Sequence, residues 1–197
     1  FRQLAEQGNA YAQSNVGYLY DMGLGAPQDY NKAFKWYRMA AEQGISKAQY
    51  SVGYLYDMGW GVPQDYKKAF KWYRMAAEQG HADAQYSVGY LYDMGLGVSQ
   101  DYVLAHMWFS LSGLQGYQYA RESRIVTENK MTPQQIEEAQ KMAATYLERQ
   151  RTEINSHKVK NPDQKEETLI RNIAIKGLSD NGEAHQCGSH FFRLKTS

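Results

Sequence analysis

The chain has 197 residues, of which 43% are hydrophobic and 22% charged, and this is enough apolar material for the core of one ordinary domain. Lysine and arginine number 22 against 21 acidic residues, so no whole-chain field drives general binding to nucleic acid or to anionic membranes. The single cysteine, Cys187, excludes an intramolecular disulfide and a thiolate metal cluster.

Membrane insertion is not expected, because no stretch reaches the roughly 20 apolar residues that a spanning helix needs. The first residues, FRQLAEQG, lack the basic start and apolar stretch of a secretory signal. They resemble the end of a larger motif, and the chain opens on Phe1 rather than on a methionine. The compartment therefore stays open between the cytoplasm and the bacterial periplasm or secretion.

Internal repeats organise most of the chain. The string VGYLYDMG occurs at 16–23, 52–59 and 88–95, and AEQG occurs at 5–8, 41–44 and 77–80. Both strings return every 36 residues, and such a period is typical of stacked helical repeats. We expect three units with the bounds 9–44, 45–80 and 81–116, preceded by the end of another unit at 1–8.

The first helix of each unit, helix A, is predicted from apolar spacing. In the middle unit Ala48, Val52 and Leu55 share one helical face. This pattern predicts a helix over about residues 47 to 58, ended by Gly59 and by the glycines and proline of GWGVPQ.

The second helix, helix B, is predicted to start after Asp65, whose carboxylate can accept hydrogen bonds from the first-turn amides, and to run until Gly80. Ala69 and Ala76 lie on its apolar face, where neighbouring axes approach closely, and we expect the Trp72 ring to fill the space that these small residues leave. Two helices cannot bury their apolar faces alone, so successive units should stack into a solenoid.

The repeated positions resemble those of the Sel1-like repeat, a relative of the tetratricopeptide repeat. The residues that carry the resemblance in the middle unit are Ala48, Gly53, Tyr56, Gly59, Gly61, Asp65, Lys68, Ala69, Trp72, Tyr73, Ala76 and Gly80. The resemblance implies an all-α fold, an α-α solenoid wound as a right-handed superhelix of helix-turn-helix repeats. It also implies an adaptor or scaffold in signalling, protein quality control or bacterial host interaction.

Residues 117–150 are expected to cap the array. In the third unit Leu104, Met107 and Ser110 stand where the second unit has basic residues, so the outer face of the last helix B becomes apolar. A first capping segment is expected at 118–129. A second helix is predicted from Pro133 to about residue 149, after start signals at Thr132 and Gln135. Its apolar stripe comprises Ile136, Ala139, Ala143, Tyr146 and Leu147.

The remaining residues, 151–197, are polar, and we expect them to be disordered. One stretch, Glu167 to Leu178, has the spacing of a brief amphipathic helix.

No catalytic, cofactor or metal site is predicted. The glycine pairs of DMGLG follow a helix rather than a strand, unlike a nucleotide-binding loop. His185, Cys187 and His190 lack a fourth ligand for a metal. No nucleophile motif accompanies His106, so a satisfied histidine at the cap is favoured over a catalytic base. We therefore predict that the chain is not an enzyme.

The best functional signal is a ladder of aromatic and polar residues on helix A, opposite the buried stripe. A concave face lined by this ladder is predicted to grip a segment of a partner protein. The candidate binding residues are Tyr18, Asp21, Gln49, Tyr50, Tyr54, Asp57, Gln85, Tyr86, Tyr90 and Asp93. The alternative for the rings is packing against the adjacent helix A.

A basic stripe on helix B, repeated as Lys68, Lys71 and Arg74, is interpreted as a solvated outer face rather than a site for an acidic partner. The expected partner is a protein or peptide, not nucleic acid, because the charge balance is nearly even. Alternative functions are self-association through the open first unit, or a part of a larger enzyme or signalling protein.

Overall fold

The computed structural model describes residues 2–160, with side chains up to residue 153. This part of the chain is all helical and carries nine helices. They are α1 (Arg2–Glu6), α2 (Ala10–Met22), α3 (Tyr30–Glu42), α4 (Ser46–Met58), α5 (Tyr66–Glu78), α6 (Ala82–Met94), α7 (Tyr102–Leu114), α8 (Gln118–Glu128) and α9 (Pro133–Lys160). The stretch Glu167 to Leu178 and the candidate ligands His185, Cys187 and His190 lie outside the described residues.

The helix bounds follow the predicted signals. Helix A of the middle unit is α4, and Gly59 ends it in the left-handed conformation at φ 72°, donating its N–H to the carbonyl of Leu55. The side chain of Asp65 accepts a hydrogen bond of 3.0 Å from the backbone N–H of Lys68, and α5 begins there. The alternation of helices A and B is therefore confirmed.

Each helix from α1 to α8 packs against its neighbours in the chain, so the units stack as a helical repeat solenoid. At the first junction, Ala33, Tyr37, Ala40 and Ala41 of α3 pack on Ala48, Val52 and Leu55 of α4. The second and third helix-A leucines, Leu55 and Leu91, are fully buried, whereas Leu19 is 37% exposed. Leu55 and Leu91 are each covered by helix B of the preceding unit.

The large ring that fills the space left by the small residues is that of Tyr73, and the expectation that Trp72 fills it is wrong. Tyr73 is 1% exposed, and a Cβ added at Gly53 would lie 2.7 Å from its Cδ1 atom. Trp72 is only partly buried at the edge of the cluster. The two residues are adjacent on one helix, and the side that α4 approaches is the side of Tyr73.

The helix α8 behaves as a fourth helix A, since it starts 36 residues after α6. Ala120 is buried at the position of Ala84 and Ala48. The Arg121 Nε atom donates to the carbonyl of Gly113 at 3.2 Å. In each of the three repeats a glutamine stands at this position. Its side chain donates to the carbonyl of the residue eight positions earlier.

The helix α9 contacts α7, the helix whose apolar face the cap is expected to cover. Met107, Trp108 and Leu111 are buried, and the rings of Trp108 and Tyr146 meet at 5.5 Å. Ala139 and Ala143 of the predicted stripe are buried as well.

The end of α9 differs from expectation, because the helix runs to Lys160 rather than stopping near residue 149. Residues 150–160 hold no glycine or proline, and the good helix formers among them favour continuation. Residues 151–160 of the expected tail are therefore helical in the structure. Of the described residues, those up to Tyr146 belong to one compact unit and residues 147–160 to a second.

Candidate partner-binding surface

The helix-A surface consists of the side chains of α2, α4 and α6 that lie opposite the buried stripe. It contains eight of the predicted binding residues: Tyr18, Asp21, Tyr50, Tyr54, Asp57, Tyr86, Tyr90 and Asp93. Their burial and partners differ widely from one position to the next.

The two predicted glutamines are internal and do not belong to this surface. Gln49 is 2% and Gln85 is 3% exposed. The Gln49 Nε2 atom donates to the carbonyl of Ala41 at 3.1 Å, and its Oε1 atom accepts from Gln79 at 2.7 Å. Gln85 repeats both contacts one unit later. The expectation that these amides contact a partner is wrong, because the preceding helix B encloses them.

Tyr50 and Tyr86 also pack inward. The Tyr50 ring stacks on His81 at 4.9 Å and lies 5.5 Å from Tyr73. Burial, followed by the charge of Asp83, raises the pKa of Tyr50 well above its usual value. Tyr86 is 8% exposed and meets the ring of Tyr117, which precedes α8, at 5.0 Å. For these two rings the structure favours the packing alternative.

Tyr18, Tyr54 and Tyr90 are the rings that reach the outside of the helix-A surface. Tyr18 is 39% exposed, and the Nζ atom of Lys47 lies 5.5 Å from its ring centroid. Tyr54 and Tyr90 are half-buried. Burial, with the nearby charges of Asp57 and Asp21, raises the pKa of Tyr54 to about 12, so the phenol is neutral at physiological pH.

Two carboxylates are held in place by tyrosines of the same unit. The Tyr37 hydroxyl donates to Asp21 at 3.1 Å, and the Tyr73 hydroxyl donates to Asp57 at 3.2 Å. Burial raises the pKa of Asp21 although the bond from Tyr37 opposes this change. Each buried tyrosine therefore fixes an acidic oxygen at the edge of the helix-A surface.

The third carboxylate, Asp93, is contacted by side chains from the capping segment. Phe109 stands where the other units have this tyrosine, and its ring carries no hydroxyl that could donate to Asp93. The Lys130 Nζ atom lies 2.9 and 3.1 Å from the two oxygens of Asp93, and Thr127 donates to it at 3.0 Å. The Asp93 side chain is 12% exposed. The prediction that Asp93 binds a partner is corrected: the capping segment contacts it instead.

A cleft remains where α8 meets the third unit, with a volume of about 310 Å³. Its lining comprises Tyr86, Tyr90, Asp93, Phe109, Glu122, Ser123, Val126 and Thr127. Val126 stands where the repeats have a helix-A tyrosine, and it is 57% exposed. The ring ladder therefore ends at Tyr90.

Sequence reasoning missed Trp60 and Tyr30. The Trp60 ring lies 4.9 Å from Tyr30 and 5.6 Å from Tyr54, so the loop after α4 extends the aromatic part of the helix-A surface. The signal was present in the sequence, because the other two units carry Leu24 and Leu96 at this position.

Two residues of the basic stripe in the second unit pair with acidic residues close to them in sequence. Lys68 lies 3.2 Å from Asp65, and Arg74 lies 2.8 Å from Glu78. Lys32 and Arg38 form the matching pairs in the first unit. These exposed pairs contribute little to stability, which agrees with the interpretation of a solvated face.

His106 is buried, and its Nε2 atom lies 2.8 Å from a carboxylate oxygen of Glu128. The same places in the earlier junctions hold the edge-to-face pairs Phe34 with Tyr56 and Phe70 with Tyr92. The prediction of a satisfied histidine at the cap is confirmed. Among the residues described, no group of three or more possible ligands could hold a metal ion, and no helix is long and apolar enough to cross a membrane.

The Sel1 repeat model matches residues 10–45, 46–81 and 82–117, which is more than half of the chain. The chain therefore belongs to the Sel1 repeat family. Sel1 repeat proteins generally mediate protein–protein interactions and are typically non-catalytic scaffolds. No curated protein matches the chain.

Two solved structures are similar to this chain. One is a protective antigen of uropathogenic Escherichia coli strains with an SLR fold, at 40% identity and a TM-score of 0.68, covering 73% of this chain. The other is a Sel1 repeat protein from Oxalobacter formigenes, at 42% identity and a TM-score of 0.58, covering 60% of this chain. The chain spans 31% and 49% of the length of these two proteins.

Proposed function

We propose that this chain is a non-catalytic binding module that holds a segment of a partner protein on the helix-A surface of its first two units. The observation that carries the proposal is the contrast along the ladder. Tyr86 is buried against Tyr117 and Tyr50 packs on His81 and Tyr73, whereas Tyr18 is 39% exposed and Tyr54 is half-buried. A row of rings that is only partly covered suits recognition, because each ring offers large contact area at small entropic cost.

Polar groups support the same surface. Asp21 and Asp57 lie at its edge, each fixed by a buried tyrosine, so their carboxylates are already oriented before a partner arrives. Preorganised groups of this kind lower the entropic cost of binding. A protein or peptide is proposed rather than nucleic acid, because two carboxylates face the binding region and the net charge of the chain is only +1.

The test starts with affinity capture from the source organism and continues with single variants against the captured partner. Tyr18→Ala and Tyr54→Ala should each weaken binding by more than about 1 kcal/mol, as truncation of a central aromatic residue typically does. Tyr90→Ala should weaken binding less, because the row of rings ends at Tyr90, where α8 packs on the third unit. Denaturation of each variant separates loss of binding from loss of folding.

The matched control is Lys71→Ala on the outer face of helix B, which should leave binding unchanged. If only the lysine variant weakens binding, the partner lies on the outer surface and the proposal is wrong. If the tyrosine variants unfold the protein, the rings act in packing between units. Self-association through the first unit stays a separate prediction, which sedimentation at several protein concentrations would test.

A further inference from the structure

Three aromatic rings and one carboxylate come together where the first unit meets the second. The Trp60 ring contacts the rings of Tyr30 and Tyr54, and all three are only partly buried. Burial raises the pKa of both tyrosines; the charge of Asp21 adds to it at Tyr30, and the charges of Asp57 and then Asp21 add to it at Tyr54. We call this group the Trp60 site, formed by Asp21, Tyr30, Tyr54 and Trp60.

The electrostatics of the Trp60 site favour a cation. Aromatic faces attract an ammonium or guanidinium group within about 6 Å of the ring centroid. Asp21 adds a carboxylate that accepts a hydrogen bond from the neutral phenol of Tyr37. Burial raises the pKa of Asp21, and a positive neighbour would favour its ionised form.

The corresponding place at the end of the array already holds a cation. Lys130 follows the end of α8 and stands one period after Met94 and two periods after Met58 in the sequence. Its Nζ atom contacts both oxygens of Asp93 and lies 5.0 Å from the ring centroid of Tyr102. Asp93 and Tyr102 are the counterparts of Asp21 and Tyr30. In unit three, this carboxylate and ring pair therefore accepts a lysine side chain.

We propose that the Trp60 site binds a lysine or arginine side chain of the partner protein. The proposal rests on the proposed function and adds the chemistry of the partner: a basic residue on the segment that lies along the helix-A surface. The junction between the first two units is favoured over the next junction because Leu96 stands there in place of Trp60. A protein side chain is favoured over a small ammonium compound because the occupant in unit three is itself delivered by a protein segment.

The experiment follows the indole N–H signals of the full 197-residue chain by NMR during titration with a capped tetralysine peptide. The chain has four tryptophans, and Trp60→Leu identifies the signal of interest while introducing the residue that the other units carry. Tetralysine should shift the Trp60 signal. Asp21→Asn should weaken the binding about fivefold or more, since it removes the charge and leaves the shape.

The controls are a capped tetraglutamate peptide, tetramethylammonium at equal positive charge, and Glu78→Gln, which removes an exposed carboxylate on helix B. Tetraglutamate should give no shift, and Glu78→Gln should bind tetralysine as the unchanged chain does. A Trp60 signal that tetralysine leaves in place overturns the proposal. An equal shift with tetramethylammonium also overturns it, because the occupant would then be a small ammonium compound.

Binding of the captured partner separates the two proposals. If Tyr18→Ala weakens binding while Asp21→Asn and Trp60→Leu do not, the cation site is wrong and the proposed function stands. If all three variants bind the partner as the unchanged chain does, the helix-A surface is not the binding face. Weakening by all three supports both proposals.

Discussion

Replacing Gln49 by leucine tests whether this side chain serves the fold rather than a partner. The Gln49 amide is 2% exposed and makes two hydrogen bonds, one to the carbonyl of Ala41 and one from Gln79. Leucine has a similar size but neither donates nor accepts, so both bonds are lost. The substitution is therefore a direct measure of what the buried amide contributes.

The size of the destabilisation depends on which hydrogen bonds Ala41 and Gln79 can still make after the substitution. The Ala41 carbonyl still accepts from the backbone N–H of Gly44 at 3.0 Å, and the exposed Gln79 side chain can turn to water. Neither group is left wholly unsatisfied, so the cost is that of two ordinary hydrogen bonds at about 0.5 to 1.5 kcal/mol each. We expect Gln49→Leu to lower the free energy of unfolding by about 2 kcal/mol.

The assay is urea denaturation followed by circular dichroism, with Gln79→Ala as the matched control. That variant keeps the Gln49 amide but takes away the donor to its buried oxygen, so it should cost about 1 to 3 kcal/mol. A midpoint for Gln49→Leu equal to that of the unchanged chain would refute the reasoning. If that variant also lost partner binding, the glutamine would belong to the binding face after all.

Two further substitutions test the packing. Gly53→Ala should destabilise the chain by about 1 to 3 kcal/mol, because the added Cβ would lie 2.7 Å from the buried ring of Tyr73; Ser51→Ala on the same helix is the control, and equal denaturation midpoints for the two variants would contradict the close contact. Trp108→Ala should cost about 3 to 5 kcal/mol and release α9, because its ring contacts Tyr146. Limited proteolysis should then cut α9 early, and an unchanged cleavage pattern would show that other contacts hold the helix.

The local structure could be predicted because its causes are local. The 36-residue period placed every helix of the three units, and single residues such as Gly59 and Asp65 marked where helices end and begin. The apolar substitutions in α7 predicted the capping helix over it, since a solvent-exposed apolar face at the end of an array must be covered.

The candidate surface could be predicted only in part. A helical wheel gives the direction of a side chain but not the neighbour that meets it. Tyr50 and Tyr54 both point away from the stripe, yet His81 of the next unit covers the first. The end of α9 was missed for a different reason, since polar composition suggested disorder although good helix formers continue to Lys160.

The sequence by itself determined the all-helical repeat, its period and the bounds of most helices, because capping groups and apolar spacing act within a few residues of one another. Only the tertiary structure decided that Gln49 is internal, that Tyr73 rather than Trp72 fills the core, and that Lys130 forms an ion pair with Asp93. Gln49 and Gln79 are 30 residues apart, and Asp93 and Lys130 are 37 apart. Contacts of this range depend on how successive units stack, and no pattern within one helix contains that information.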